Sequence, residues 1–258
     1  TSWIPDVIHC HDWTAGLVPV LLNTTLKSTA LGGARTVISI HNLQHQGLHP
    51  RRLMAYLGLP AFLWSPQELE CLGGVNFLKG GILHAAKVIT VSPTYAKEIL
   101  TPAFGYGLDD VVRRRASDLR GILNGVDRDE WNPEDDEHIA AAFSAKKPAG
   151  KAECKTALLR ELGLATDRDV PLVGVVSRLW EQKGLDLAVS VLPKFLRKDS
   201  LQFVLLGSGD AWLENEFKRL AVDFPQLCAV RIGYDNGLSH RIEAGCDFFL
   251  MPSRFEPC

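Results

Sequence analysis

Residues 169–187, DVPLVGVVSRLWEQKGLDL, decide how the second half of the chain folds. An apolar run at 172–176 stops at a short polar turn, and an amphipathic segment begins after Gly184. This pattern predicts a buried strand that leads into a helix. The turn carries Arg178, a planar fork, and Lys183, a mobile point charge; together with the helix N-terminus they would suit a phosphate. The alternative is a surface turn with two solvated cations.

The same alternation of strands and helices runs through the whole chain, and it predicts an α/β fold with parallel sheets. In the second half we predict strands at 202–206, 230–232 and 247–251. We predict helices at 185–197, after Asp210 with Leu213, Phe217, Leu220 and Phe224 on one face, and at 239–244. In the first half we predict helices at 15–22 and 94–100, the latter capped by Ser92, and strands at 36–40, 87–91 and 121–123. Residues 75–84 are predicted helical and 105–120 a loop, with the arginines at 113–115 read as a solvated face.

The chain is long enough for two domains. A turn at 124–127 and a polar, proline-bearing region at 132–150 interrupt the alternation. We therefore place the domain boundary close to Leu123, with one domain at 1–122 and the other at 123–258.

Composition excludes several classes of protein. The 258 residues are 46% hydrophobic and 22% charged with a net charge of −2, so neither nucleic acid nor a membrane is an expected partner. No apolar run reaches the roughly 18 residues of a membrane-spanning helix. The six cysteines are scattered without a CxxC pair, which argues against a disulfide framework or a metal site and favours a reducing compartment.

Polar residues cluster where the predicted strands end. In an open parallel sheet, ligands bind at the carboxyl ends of the strands. In the second half these ends carry Arg178, residues 207–210, Tyr234, Arg254 and Glu256. That set suits a nucleotide diphosphate with a hydroxylated group attached. In the first half the corresponding residues are His11, Asp12, Trp13, His41 and Asn42. Two sheets with facing strand ends would enclose such a ligand.

Two common nucleotide-binding motifs do not occur. The chain has neither GxxxxGK[ST] nor a GxGxxG that follows a strand, and Gly207-Ser208-Gly209 by itself is a weak signal. Kinase-like and dehydrogenase-like functions are therefore disfavoured.

Eight ordered motifs over essentially the whole chain resemble the bacterial glycogen synthases and plant starch synthases. They are PDVIHCHDWTAGL, ISIHNLQHQG, ITVSPTYAKEI, ILNGVD, VVSRLWEQKGLDL, LLGSGD, IGYDNGLSHRI and MPSRFEPC. The resemblance implies a GT-B fold, which has two Rossmann-like domains around a cleft. It also implies transfer of glucose from ADP-glucose to the non-reducing end of an α-1,4-glucan, with retention of anomeric configuration.

The resemblance also implies roles for individual residues. Arg178 and Lys183 match the pair that holds the donor phosphates, Glu256 matches a carboxylate on the donor glucose, and His41 matches a histidine beside that sugar. Further donor-side residues are Asn124 near the 6-hydroxyl, Tyr234 on adenine, and Gly207, Ser253 and Cys258. On the acceptor side are Asp12 and Trp13. The implied partners are ADP-glucose and an α-1,4-glucan such as glycogen or starch, with no cofactor and no metal.

Simpler explanations stay open for several of these residues. His11 and His41 are also explained as structural histidines at strand ends, Trp13 as a core residue and Tyr234 as an interface residue. Cys258 is more simply an inert thiol, and Asp210 is most simply the N-cap of the helix that follows it.

The chain departs from the family by omission. It has no N-terminal K-x-G-G-L loop, and it ends at Cys258, inside the last motif. We therefore expect a piece of a longer protein, with both domains incomplete and no activity by itself. The expected location is the cytoplasm of a bacterium or the plastid stroma of a plant. The alternatives are a UDP-glucose-dependent GT-B glucosyltransferase and a non-catalytic glucan-binding homologue.

Overall fold

The computed structural model describes residues 3–258, and these form two compact units. The first unit contains the described residues up to Gly125 together with Pro257 and Cys258. The second unit is Val126–Glu256. The division thus falls after Gly125 rather than after residue 122, and the last two residues pack with the first unit rather than the second.

A parallel sheet forms the centre of the first unit. Its strands are β1 (Val7–His11), β2 (Arg35–Ile40), β6 (Lys87–Thr90) and β7 (Leu119–Gly121). They are hydrogen-bonded in the order β1-β2-β6-β7. The β-branched sequence of β2 suits this central position, since Ile38 and Ile40 are fully buried. The predicted strands at 36–40 and 87–91 are confirmed, whereas the last strand begins two residues earlier than expected.

A small antiparallel sheet lies in the same unit. Its strands are β3 (Leu48–Pro50), β4 (Glu70–Cys71) and β5 (Gly74–Asn76), in the order β3-β5-β4. The prediction that residues 75–84 are helical is therefore wrong for its first two positions. Val75 is apolar and β-branched, and as a strand residue it packs into a buried cluster with Val20 and Leu69.

The α-helices that the structure describes in this unit are α1 (Leu17–Asn23), α2 (Leu53–Tyr56), α3 (Phe77–His84), α4 (Pro93–Glu98) and α5 (Asp109–Arg114). The predicted start of α4 is confirmed. The Ser92 hydroxyl accepts a hydrogen bond from the backbone N–H of Tyr95 at 2.9 Å, and Pro93 occupies the first helical position.

The prediction that residues 105–120 form a loop is wrong, because they contain α5 and β7. Asp109 at the start of α5 and Arg113 at its end pair with each other and complement the helix dipole. Arg115 is not a solvated cation. Its guanidinium donates hydrogen bonds to the carbonyls of Ile82, Leu83 and Ala85 at the end of α3.

The second unit repeats the parallel architecture. Its strands are β8 (Leu172–Val176), β9 (Gln202–Gly207), β10 (Cys228–Ile232) and β11 (Phe248–Phe249). Their order is β10-β9-β8-β11, and every neighbouring pair is parallel. The predicted strands are confirmed, although the last is shorter than the expected 247–251.

The helices of this unit are α6 (Gly150–Leu162), α7 (Leu185–Leu196), α8 (Ala211–Asp223) and α9 (Asn236–Gly245). The predictions for α7, α8 and α9 are confirmed, and α6 is an addition to them. Asp210 caps α8 as expected, because its carboxylate accepts the backbone N–H of Trp212 at 2.8 Å.

Strand β9 shows how the core of the second unit is built. Phe203 and Leu205 pack into the cluster that contains α7 and α8, whereas Val204 and Leu206 pack into the cluster that contains α6 and α9. Side chains alternate between the faces of a strand, so a continuously apolar strand is covered on both sides. No helix among residues 3–258 is long and apolar enough to cross a membrane.

Candidate functional site

The strand order of the second unit reverses at β8. The chain runs outward from β8 through β9 to β10, and then returns to place β11 on the other side of β8. In open α/β sheets, ligands bind in the crevice at the carboxyl ends of the strands where the order reverses. Here that crevice lies between residues 177–184, which follow β8, and residues 250–256, which follow β11. We call these two segments the switch-point loops.

The switch-point loops are bonded to each other. Arg254 donates its backbone N–H to the carbonyl of Gln182 at 2.8 Å, and the Gln182 side chain donates to the carbonyl of Phe255 at 3.1 Å. The Arg254 guanidinium also forks onto the Asp186 carboxylate at 2.8 and 2.7 Å. These hydrogen bonds from Arg254 lower the pKa of the Asp186 carboxyl below its ordinary value. The clamp holds the two loops in register.

Lys183 and Glu256 meet inside this clamp. The Lys183 ammonium donates to Oε1 of Glu256 at 2.7 Å, and the Ser253 hydroxyl donates to the same oxygen at 2.6 Å. Both side chains of the ion pair are largely buried. Among the described residues, nothing bonds Oε2 of Glu256, so this oxygen can accept a hydrogen bond from a ligand. The structure thus brings together three of the residues predicted for the donor side.

Arg178 lies in the same turn but is not paired. Its side chain is exposed, and it makes no hydrogen bond or ion pair with any residue from 3 to 258. The charge of Lys183 is balanced by Glu256, whereas the guanidinium of Arg178 is uncompensated. The same turn also holds the exposed Glu181, so its net charge does not by itself favour an anion. The features that do are the unpaired guanidinium of Arg178 and the N-terminus of α7, which follows the turn.

Two glycines let the chain turn closely here. Gly184 has a φ of +64°, and a Cβ at this position would collide with the carbonyl oxygen of Pro252. A Cβ on Gly207 would fall against the carbonyl of Ser177, the residue that follows β8. Both glycines are thus needed for packing between neighbouring strand ends. A donor contact by Gly207 stays a prediction.

The remaining donor-side residues are surface positions. Tyr234 follows β10 with its ring 87% exposed, and its hydroxyl donates to Oδ1 of Asn236 at 3.2 Å. An exposed ring of this kind is available for stacking. Asn124 follows β7 and Cys258 ends the chain; both are exposed and both belong to the first unit.

The carboxyl ends of β1 and β2 in the first unit carry a three-histidine cluster, defined as His9, His11 and His41. Nδ1 of His11 lies 2.9 Å from Nε2 of His41, and the two ring planes are inclined by 28° with centroids 5.2 Å apart. The His9 ring lies 4.3 Å from that of His11 and hydrogen-bonds to the Ser39 hydroxyl at 2.6 Å. Desolvation, together with the neighbouring imidazoles, lowers the pKa of His9.

Asp12 fixes the backbone beside this cluster. Its carboxylate accepts the N–H of His41 at 2.8 Å, and its own N–H donates to the carbonyl of Ser39 at 2.9 Å. Asp12 has φ +52° and ψ −165°, a conformation that side-chain-bearing residues rarely adopt. Strain of this kind persists only where surrounding bonds enforce it, and it is concentrated at functional sites.

Trp13 packs within the first unit. A Cβ on Gly47, whose φ is +62°, would collide with the indole, and the ring of His49 lies 5.7 Å from that of Trp13. The indole is half-buried against the main core of the unit. The structure therefore supports the core explanation for Trp13, and its acceptor-side role stays a prediction.

Sequence reasoning missed the Arg254–Asp186 clamp and did not assign a role to His9 or His11. The histidines leave a signal: an H-x-H pattern at the end of a strand places both rings on one face. The clamp leaves none, since Asp186 and Arg254 are 68 positions apart and meet only because β8 and β11 are neighbours.

A second concavity in this unit, of about 470 Å³, is lined mainly by carboxylates from residues 129–137 together with His138 and His240. His240 is buried, its Nδ1 lies 2.8 Å from the Asp136 carboxylate, and its ring stacks on Trp131 with centroids 3.9 Å apart. This contact ties the connection before α6 onto α9. In the part of the chain that the structure describes, no three His, Cys, Asp or Glu side chains are placed to hold a metal.

Comparison with known proteins gives consistent results. Residues 1–114 match the family model of the starch synthase catalytic domain. The chain is 52% identical over 255 residues to a glycogen synthase of Anaeromyxobacter sp., a match that covers 98% of this chain and 54% of that relative. A glycogen synthase of Cellvibrio japonicus is 47% identical over 257 residues, covering 100% of this chain and 52% of the relative.

Among solved structures, the chain is similar to the catalytic domain of starch synthase IV from Arabidopsis thaliana, bound to ADP and acarbose. The TM-score is 0.89 at 38% identity, and the match covers 98% of this chain and 53% of that one. The chain therefore spans about half the length of the curated relatives and the solved structure that it matches.

Proposed function

We propose that the whole protein transfers glucose from ADP-glucose to the non-reducing end of an α-1,4-glucan. The chain belongs to the family of bacterial glycogen synthases and plant starch synthases, with the GT-B fold. In this proposal the reaction retains the anomeric configuration. Its partners are a nucleotide sugar and glycogen or starch, in a bacterial cytoplasm or a plastid stroma.

One observation carries the donor side of this proposal. At the switch point of the second sheet, the uncompensated guanidinium of Arg178 lies in the same turn as Lys183, which is held against Glu256. A diphosphate needs such a cluster of cations at a helix N-terminus. The starch synthase IV relative is bound to ADP, which supports a nucleoside diphosphate as the ligand of this site.

The chemistry asks for fixed positive charge. Breaking the bond between glucose and the diphosphate builds negative charge on the leaving group, which Arg178 and Lys183 stabilise electrostatically. We assign Glu256 to the donor glucose, because Oε2 is open to a sugar hydroxyl while Oε1 is held by Lys183 and Ser253. Glu256 is a binding carboxylate rather than a nucleophile in this scheme. With the charge supplied by side chains, we propose neither a cofactor nor a metal.

The resemblance to the family suggests roles for further residues. We assign His41 to the transferred sugar, Asn124 to its 6-hydroxyl and Tyr234 to the adenine ring. Asp12 and Trp13 are assigned to the acceptor side. The bond from the Asp12 carboxylate to the backbone of His41 supports a link between acceptor and donor residues in the first unit.

The test is transfer of labelled glucose into glycogen by the full-length protein, with ADP-glucose and UDP-glucose measured side by side. We expect ADP-glucose to be the preferred donor. Arg178→Ala is expected to lower kcat/KM by roughly 100- to 1,000-fold, the effect of removing one preorganised group that stabilises developing charge. The matched control is Arg197→Ala, since Arg197 is an exposed arginine just beyond the far end of α7.

Other outcomes would overturn specific parts. A preference for UDP-glucose would contradict ADP-glucose as the donor. Unchanged turnover in Arg178→Ala would contradict the assignment of Arg178 to the donor phosphates. Retained glucan binding without transfer from either donor would show a non-catalytic homologue.

A further inference from the structure

The hydrogen bond between His11 and His41 links the tautomers of the two rings. Nδ1 of His11 lies 2.9 Å from Nε2 of His41. Two neutral imidazoles can bond in this way only if one nitrogen donates and the other accepts. When His11 donates, His41 carries its proton on Nδ1; when His41 donates, its Nδ1 is an acceptor. His11 therefore controls which role remains for the free nitrogen of His41.

His41 is also held through its backbone, which leaves the ring as its mobile part. Its N–H is bonded to the Asp12 carboxylate at 2.8 Å. Rotation of the imidazole would exchange the positions of its ring atoms without disturbing that bond. The ring contact that opposes rotation is the bond to His11, made between ring planes inclined by 28°.

His11 is itself well placed to hold another ring. It ends β1, directly opposite Ser39 of β2 in the register of the parallel sheet. Its ring packs against that of His9 at 4.3 Å between centroids. Groups built on paired strands are positioned more rigidly than groups on loops. His11 thus connects the rigid sheet to the ring of His41, which lies just beyond the end of β2.

We propose that His11 is a positioning residue for His41, which fixes the orientation and tautomer of that imidazole beside the transferred glucose. The inference rests on the proposed function, in which His41 is next to the donor sugar. In this assignment His11 acts on the reaction through His41 and touches neither substrate. It gives His11 a role that differs from that of a general structural residue.

A double-mutant cycle in the full-length protein tests the proposal. We expect His11→Phe, which keeps an aromatic ring but removes the hydrogen bond, to lower kcat by roughly 10- to 100-fold, the effect of misplacing a reacting group by about 1 Å. In a His41→Ala background the same change is expected to have no further effect, because the residue through which it acts is gone. His11→Asn should recover most of the activity, since its amide lies near the position of Nδ1.

His9→Phe is the matched control. His9 belongs to the same cluster, but its hydrogen bond goes to Ser39 rather than to His41. We expect its transfer rate to stay within about threefold of the parent. Thermal denaturation of every variant separates a lost positioning effect from a lost fold, and His11→Asn serves where His11→Phe unfolds.

Two results would overturn the inference. In the first, the losses of kcat in His11→Phe and His41→Ala multiply in the double variant. In the second, kcat falls equally in His11→Asn, His11→Phe and His9→Phe. If the parent protein transfers no glucose, the proposed function fails by itself. A crystal structure of His11→Phe then decides the inference: a turned or doubled His41 ring supports it, and an unchanged ring contradicts it.

Discussion

The two units differ in the side chains that lie at the carboxyl ends of their parallel sheets. Each presents polar side chains at the carboxyl ends of a parallel sheet. In the second unit these are charged: Lys183 and Glu256 form a pair, Arg254 and Asp186 form a clamp, and Arg178 is uncompensated. In the first unit the corresponding edge carries the three-histidine cluster, beside a single carboxylate in a strained backbone conformation.

The difference shows two ways in which a site is preorganised. In the second unit, ion pairs between neighbouring segments fix the geometry, and the guanidinium of Arg178 makes no bond to the described residues. In the first unit, hydrogen bonds from the sheet hold Asp12 at a φ of +52° and align His41. A site that stabilises developing charge needs cations at fixed positions. A site that orients a sugar needs side chains that are held in a fixed orientation.

The largest expected effect comes from breaking the charged pair. Lys183→Ala removes one of the two cations proposed to act on the leaving diphosphate and leaves Glu256 bonded to Ser253 alone. We expect kcat/KM for ADP-glucose to fall roughly 100-fold or more. This corresponds to a loss of about 3 kcal/mol of transition-state stabilisation. Steady-state transfer by the full-length protein measures this loss.

Lys194→Ala provides the control for that substitution. Lys194 is an exposed lysine in the last turn of α7, at the opposite end of that helix from residues 177–184. Its kcat/KM should match that of the parent. Equal losses in the two variants would show that general charge, rather than the placement of Lys183, matters.

An intermediate effect is expected from the strained residue of the first unit. Asp12→Gly and Asp12→Ala both remove the carboxylate that accepts the N–H of His41. Only glycine adopts a φ of +52° with a ψ of −165° without a steric penalty. We therefore expect the glycine variant to be more stable than the alanine variant by about 1–2 kcal/mol. Urea denaturation of the two variants measures the difference.

The opposite order would contradict this view of the first unit. Alanine normally stabilises a chain relative to glycine by restricting its unfolded state. A more stable alanine variant would mean that Asp12 is not strained in the folded protein, and that its carboxylate contributes only a hydrogen bond.

The smallest expected effect concerns the clamp. The pKa of Asp186 is lowered in the folded protein because Arg254 donates hydrogen bonds to its carboxylate. The clamp therefore contributes stability above the ordinary Asp pKa of about 4, and this contribution is lost as the pH falls through the lower pKa of the folded state. Both side chains are partly exposed, so we expect less than about 1 kcal/mol.

Denaturation between about pH 5 and pH 2.5 tests this contribution. Asp186→Asn should lose less stability on acidification than the parent. Asp223→Asn, at the exposed end of α8, is the control and should follow the parent curve. Identical curves for all three proteins would mean that the clamp does not contribute to stability.

Most of the second unit could be predicted from its sequence. The run at 172–176 is apolar throughout because β8 is covered on both faces, and Gly184 marks the start of α7 at a positive φ. The region 105–120 could not be predicted as well. Its helix α5 spans only Asp109–Arg114, too short for a helical period to stand out, and its strand β7 spans only Leu119–Gly121.

The candidate site, too, was predicted only in part from the sequence. Residue type and position after a strand were enough to select Arg178, Lys183 and Glu256. The sequence does not report that Lys183 is paired while Arg178 is not, because that depends on which loop β11 brings beside β8. In the same way, a strand-end histidine is visible in the sequence, whereas its partner ring is not.

The sequence by itself determined the order of strands and helices, the parallel sheets and the family, since these depend on local periodicity and on short motifs. Only the tertiary structure decided the reversal of strand order at β8, the clamp between Asp186 and Arg254, and the bond between His11 and His41. The physical reason is that the two bonds join residues 30 and 68 positions apart, and such contacts depend on strand neighbours that no local pattern specifies.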